Sequence, residues 1–140
     1  MTSLVRRLFA GASVVAVSVL APAAIASAAV TVPFQINPAP FGNPNGSFDA
    51  PPVHCVAIVG EQPGTVKITG AKDERWGCML STEVRWLNLS TGASGTGQLS
   101  GDNQGIPGET TLQTGAGQVA VAVLPASGPI TPGFATFFVP

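Results

Sequence analysis

The chain has 140 residues, of which 45% are hydrophobic and only 9% charged, with 17 glycines, 13 prolines and a formal net charge of −1. Six lysines and arginines in all cannot form the clustered cationic surface that displaces phosphate counterions, so a nucleic-acid partner is excluded. Such sparse charge also argues against disorder, and the abundance of glycine, alanine, threonine and valine favours a β fold with many turns.

In chain order, the first element is a targeting segment. Met1-Thr2-Ser3-Leu4-Val5-Arg6-Arg7 places two cations ahead of an uncharged apolar run from Leu8 to about Ala23, which predicts a secretory signal peptide. Ala26 and Ala28 suit a peptidase that accepts small side chains at positions −3 and −1, so residues 1–28 are expected to be removed and the mature chain to start at Ala29. A cut after Ala26, with Ala24 at the same spacing, competes. The run is shorter than the roughly 20 residues of a membrane-spanning helix and is broken by Pro22, so no transmembrane anchor is expected after cleavage. Arg6-Arg7-Leu8-Phe9 resembles a twin-arginine signal, but Val5 stands where serine or threonine is usual, which favours the general export route. No cysteine follows the cleavage region, so no lipid anchor is expected.

Residues 29–52 form a Pro/Asn/Gly-rich segment with prolines at 33, 38, 40, 44, 51 and 52. Proline removes a ladder donor and fixes φ, so this stretch reads as an extended arm or surface loop rather than a central strand. Phe34, Phe41 and Phe48 recur along it and are expected to pin it to the domain.

From Val53 to the C-terminus at residue 140 the pattern is that of one β domain. In Val53 to Gly60, the set Val53, Cys55, Ala57 and Val59 alternates with His54, Val56 and Ile58, so both faces are largely apolar and the strand should be central. Thr65 to Thr69 is a second strand, and Gly70 to Gly77 a charged loop. In Met79 to Leu89, Val84 and Trp86 oppose Glu83 and Arg85; Leu87 and Leu89 fall on the charged face, which suggests a bulge. Gly95 to Leu99, Thr110 to Thr114, Gln118 to Leu124 and Phe134 to Val139 complete about seven strands. The expected fold is all-β, an immunoglobulin-like antiparallel sandwich.

Two cysteines in an exported chain, Cys55 and Cys78, predict one disulfide. It differs from the immunoglobulin bridge, because the cysteines are close in sequence and Trp76 lies just before the second.

Val84-Arg85-Trp86-Leu87-Asn88-Leu89-Ser90-Thr91-Gly92-Ala93, a tryptophan strand running into a turn, is followed later by Thr114-Gly115-Ala116-Gly117 leading a valine-rich strand. With the alanine-rich signal, these features resemble small secreted β-rich proteins of actinobacteria, a family without known activity. The resemblance spans roughly Cys55 to Val139 and implies location and fold, with no functional residue to carry over.

Chemistry-bearing residues are few. His54 is the only histidine, and Cys55 points to the opposite face of its strand; Ser47 and Asp49 are the partners a serine mechanism would need, without a nucleophile-elbow motif. No catalytic residue and no cofactor are assigned. One histidine and a disulfide fall short of a zinc ligand set, and Asp102-Asn103-Gln104-Gly105 lacks the alternating oxygens of a calcium loop, so no metal site is assigned. Lys72, Asp73, Glu74, Arg75 and Trp76 combine mixed charge with an aromatic ring and are the candidate binding surface. Asn45-Gly46-Ser47 and Asn88-Leu89-Ser90 match the N-glycosylation sequon, and Leu124-Pro125-Ala126-Ser127-Gly128 resembles a sortase signal but reads as a strand end and turn.

These features predict a secreted or cell-envelope-associated, non-enzymatic protein that acts by binding, or structurally, against a protein, glycan or lipid surface. Two alternatives stand beside it: an oligomeric envelope pore, suggested by low charge and strands apolar on both faces, and a small secreted hydrolase using His54.

Overall fold

The computed structural model describes residues 28–71, 77–78, 81–100, 108–125 and 128–140. Alternating side-chain character is the dominant local signal and produces strands throughout: β1 (Val30–Pro33), β2 (Ala39–Pro40), β3 (Cys55–Val59), β4 (Thr65–Gly70), β5 (Thr82–Asn88), β6 (Ser94–Leu99), β7 (Thr110–Gln113), β8 (Gly117–Leu124), β9 (Ile130–Thr131) and β10 (Gly133–Val139). No helix occurs among the described residues. In β8, Gly117, Val119, Val121 and Val123 are buried while Gln118, Ala120, Ala122 and Leu124 are half-exposed, the period-2 pattern of a strand with one packed face.

All strand pairs are antiparallel. One sheet has the order β1-β3-β4-β7, the other β10-β8-β5-β6, and β2 pairs with β9 in a small third sheet. The fold is therefore all-β and sandwich-like, with a single core between the two four-stranded sheets. Val59, Val66, Ile68 and Leu112 come to it from the first sheet, and Val84, Leu99, Val121, Ala135, Phe137 and Val139 are among those from the second. Each fully buried valine, leucine or isoleucine stabilises the fold by about 1.5–3 kcal/mol before conformational entropy is subtracted.

The seven expected segments each contain a strand, and β3 is internal to its sheet as its two apolar faces require. The count of about seven falls short of the ten observed, because β1, β2 and β9 arise at the arm and at the segment it meets. Proline confines such residues to edges, and edges are where they stand: β1 borders only β3, and β2 borders only β9.

The arm passes from one sheet to the other. The Phe34 N–H donates to the Cys55 carbonyl at 3.1 Å beside the first sheet, and two residues later Ile36 bridges to Phe134 of the second. Between them the Gln35 side chain acts as a strand substitute: its Oε1 accepts from the Thr136 N–H at 2.7 Å and its Nε2 donates to the Thr136 carbonyl at 3.3 Å. Of the three phenylalanines expected to pin the arm, only Phe34 is buried; Phe41 and Phe48 are 72% and 105% exposed. Phe41 sits in a tight turn at φ 54°, where its ring points away from the core.

The disulfide Cys55–Cys78 is formed, with the Cα atoms 4.5 Å apart and 23 residues of separation. Cys55 opens β3 opposite Gly70 of β4, and the segment carrying Cys78 lies directly on Gly70: a Cβ there would stand 2.6 Å from the Cys78 nitrogen. The His54 N–H donates to the Gly77 carbonyl at 2.8 Å, and the Gly108 N–H to that of Cys78 at 3.2 Å, so the bridge closes one end of the sandwich.

No bulge interrupts β5. Its register is continuous from Thr82 to Leu87 against β6 and from Glu83 to Asn88 against β8. Leu87 and Leu89 stay on the face of the charged residues, 42% and 56% exposed.

Candidate functional site

The continuous register of β5 puts apolar side chains on the solvent face of the second sheet. Antiparallel pairing aligns Phe134, Ala122 and Arg85 in one row across β10, β8 and β5, and Thr136, Ala120 and Leu87 in the next. Phe138 stands beside Gln118 in a third row. Small alanines on the middle strand, flanked by larger residues on both neighbours, leave a trough of about 190 Å³ lined by Arg85, Leu87, Ala120, Ala122 and Phe134. Phe134, 41% exposed, forms one wall, with Ile36 paired to it at the sheet edge, and Phe138, 63% exposed, stands on the same strand face beyond the trough.

Charge on this face is self-neutralising. Arg85 Nε donates to Glu83 Oε1 two residues away on the same strand, both side chains being substantially exposed. A surface pair of this kind contributes little stability, and it leaves the trough without net charge. Scattered exposed apolar residues are ordinary, whereas several on one strand face beside a concavity are the usual mark of a contact surface.

A second depression lies on the solvent face of the first sheet, among Ile58, Glu61, Thr65, Lys67 and Thr111. Lys67 Nζ is 2.9 Å from Glu61 Oε2. The hydrogen bond and charge of that carboxylate hold the lysine pKa above its usual value of 10.5. The ammonium is therefore kept protonated, which suits an ion pair and opposes nucleophilic or basic chemistry. Whatever it contributes to stability is present below the ordinary lysine value and lost as pH rises through the raised one.

Lys72, Asp73, Glu74, Arg75 and Trp76, the surface expected from composition, lie outside the described residues, as do Asp102 to Ile106 and the Ala126-Ser127 pair. His54 is half-buried at the start of β3, next to the disulfide, while Ser47 and Asp49 are exposed in the arm. Among the described residues no group of three histidine, cysteine or carboxylate side chains could hold a metal ion.

Asn88 is a structural residue rather than a modification site. It is fully buried, its Nδ2 donating to the carbonyls of Thr114 and Ala116 at 3.0 and 2.9 Å and its Oδ1 accepting from the N–H groups of Ser90 and Thr91 at 3.0 and 3.1 Å. Both amide hydrogens are thus committed, and a glycan could not be accommodated there in the folded chain. Asn45 of the other sequon is exposed.

Sequence reasoning missed the trough and its phenylalanines, yet a signal exists. In Gly133-Phe134-Ala135-Thr136-Phe137-Phe138-Val139, phenylalanines occupy both parities, so one face or the other has to expose some of them.

No known protein family, curated protein or solved structure matches the chain.

Proposed function

We propose that this chain is an exported, non-enzymatic binding or structural protein of the cell envelope or extracellular space, acting through the solvent face of the β10-β8-β5-β6 sheet. The observation that carries the reading is the alanine-floored trough walled by Phe134 and Leu87, with Phe138 beside it, on a sheet whose opposite face is packed. A surface of this composition suits an apolar or amphipathic partner: a protein, a glycan or a lipid. The formed Cys55–Cys78 bridge favours an oxidising compartment, in keeping with a signal peptide over residues 1–28.

An immunoglobulin-like assignment is part of the proposal. The order β10-β8-β5-β6 parallels the G-F-C-C′ sheet of that class. The other sheet departs from it, since β4 follows β3 by a hairpin in the same sheet, where an immunoglobulin chain would cross over. A pore assembled from such strands is disfavoured by their length: β8, the longest among the described residues, has eight residues against the roughly 9–11 that cross a membrane.

Intact-mass analysis of culture medium and envelope from cells expressing the chain tests export. A species starting at Ala29 or Ser27 and lacking the two thiol hydrogens is expected; a full-length species with free thiols overturns the reading. For the surface, the F138K/L87K variant is expected to lose retention by envelope preparations while melting as the parent does. Undiminished retention would move the function away from this face.

A further inference from the structure

An open sheet edge invites strand addition, and natural sheets guard theirs with short strands, proline, charge or a covering segment. Three of the four edges here carry such guards. Beside β10, Ile36 exchanges both main-chain hydrogen bonds with Phe134, and the Gln35 side chain occupies the outward groups of Thr136. β1 is four residues long and ends in Pro33. β7 is also four residues long and follows Glu109, which bridges to Ser100, the residue after β6, so this bridge covers the Leu99 end of the β6 edge as well.

From Ser94 to Gln98 β6 is the exception, part of a six-residue strand reading Ser94-Gly95-Thr96-Gly97-Gln98-Leu99 with neither proline nor charge. The Asn88 N–H donates to the Ala93 carbonyl at 2.7 Å, and this sets the phase of the hairpin. Gly95, Gly97 and Leu99 turn their main-chain groups toward β5, whereas Ser94, Thr96 and Gln98 turn theirs outward. No hydrogen bond joins those outward groups to any described residue, and all three side chains are exposed.

We propose that β6 is a self-association edge, at which a second copy of this chain adds its own β6 antiparallel about a two-fold axis midway between the two Thr96 residues. The outward residues are spaced symmetrically, so Thr96 meets Thr96 and Ser94 meets Gln98 of the second copy, each pair exchanging both main-chain hydrogen bonds. The side-chain pairs are threonine with threonine and serine with glutamine, combinations that hydrogen-bond across strands without bringing like charges together. Glu83 and Arg85 on β5 neutralise each other one strand inside the edge, and Glu109 stands past its end, bridged to Ser100. A foreign strand would satisfy the same main-chain groups but has no reason to match this symmetry.

The axis is perpendicular to the sheet, so the two solvent faces point the same way and the joined sheet displays two troughs side by side. If that face is the binding surface proposed above, dimerisation makes the protein bivalent toward an extended partner.

Sedimentation equilibrium over a concentration series, on protein purified from cells expressing the full chain, tests the edge. A reversible monomer–dimer equilibrium is expected for the parent. The S94K/Q98K variant, which places lysine against lysine, is expected to be monomeric with an unchanged melting curve. The S94E/Q98K variant, which places glutamate against lysine across the axis and sets the new lysine opposite Glu83 of its own chain, is expected to dimerise again. A parent that stays monomeric to millimolar concentration overturns the proposal, as does a dimer that survives S94K/Q98K or one that S94E/Q98K fails to restore. A monomeric parent leaves the solvent-face reading intact, since envelope retention is measured separately.

Discussion

The side chain of Asn88 donates a hydrogen bond of 3.0 Å to the main-chain carbonyl of Thr114, joining the end of β5 to the turn that leads into β8. Both residues are buried, and the remaining Asn88 bonds hold the opening of the β5–β6 hairpin. One amide thereby organises the hairpin and the turn beside it.

Replacing Asn88 by alanine is expected to lower stability by about 1–3 kcal/mol, the range for stranding buried polar partners. Chemical denaturation checks this. Asn88→Asp should be worse at neutral pH, because a carboxylate would face the carbonyls of Thr114 and Ala116. That environment raises the folded pKa above the unfolded value, so part of the loss should be regained as pH falls toward about 4.

Removing the disulfide as C55S/C78S is expected to lower stability by about 3 kcal/mol, the chain-entropy value for a loop of this length. Thermal melts with and without reductant read the effect in the parent directly. Superimposable curves would show that the bridge adds nothing to the sandwich.

Glycines at close approaches should respond unequally. A Cβ on Gly95 would lie 2.8 Å from Trp86 Cζ2, and that indole, half-buried at the core margin, has room to shift. A Cβ on Gly70 would lie 2.6 Å from the Cys78 nitrogen and 2.7 Å from Gly77 Cα, main chain held by the disulfide. Gly70→Ala is therefore expected to cost more than Gly95→Ala, within the 1–3 kcal/mol or so typical of overpacking. The reverse order in paired denaturation curves would contradict the packing described here.

Phe41 is expected to tolerate glycine. At φ 54° an L-residue carries a left-handed penalty of about 1–2 kcal/mol, and an exposed ring offers no core packing in return. Phe41→Gly should raise the melting temperature slightly. A clear fall would mean that the exposed ring makes a contact worth more than the strain.

Period-2 alternation and turn residues were sufficient to place seven of the strands, because each depends on neighbours within a few residues. The cysteine pair was legible for a similar reason: with only Cys55 and Cys78 in the chain, one bridge was the only pairing available. Local pattern could not tell which face of β10 would take Phe137 and which Phe134 and Phe138, since both parities carry aromatic rings. That choice was made by pairing with β8, whose valines and alanines define a packed face and a small-residue floor. The arm shows the same division. Its prolines excluded a central strand, but only the approach of Phe134 and Thr136 turned Ile36 and Gln35 into an edge cover. Sequence determines what a residue can do next to its neighbours; the assignment of Leu87 to solvent and Asn88 to the interior came from contacts between segments far apart in the chain, which no local pattern encodes.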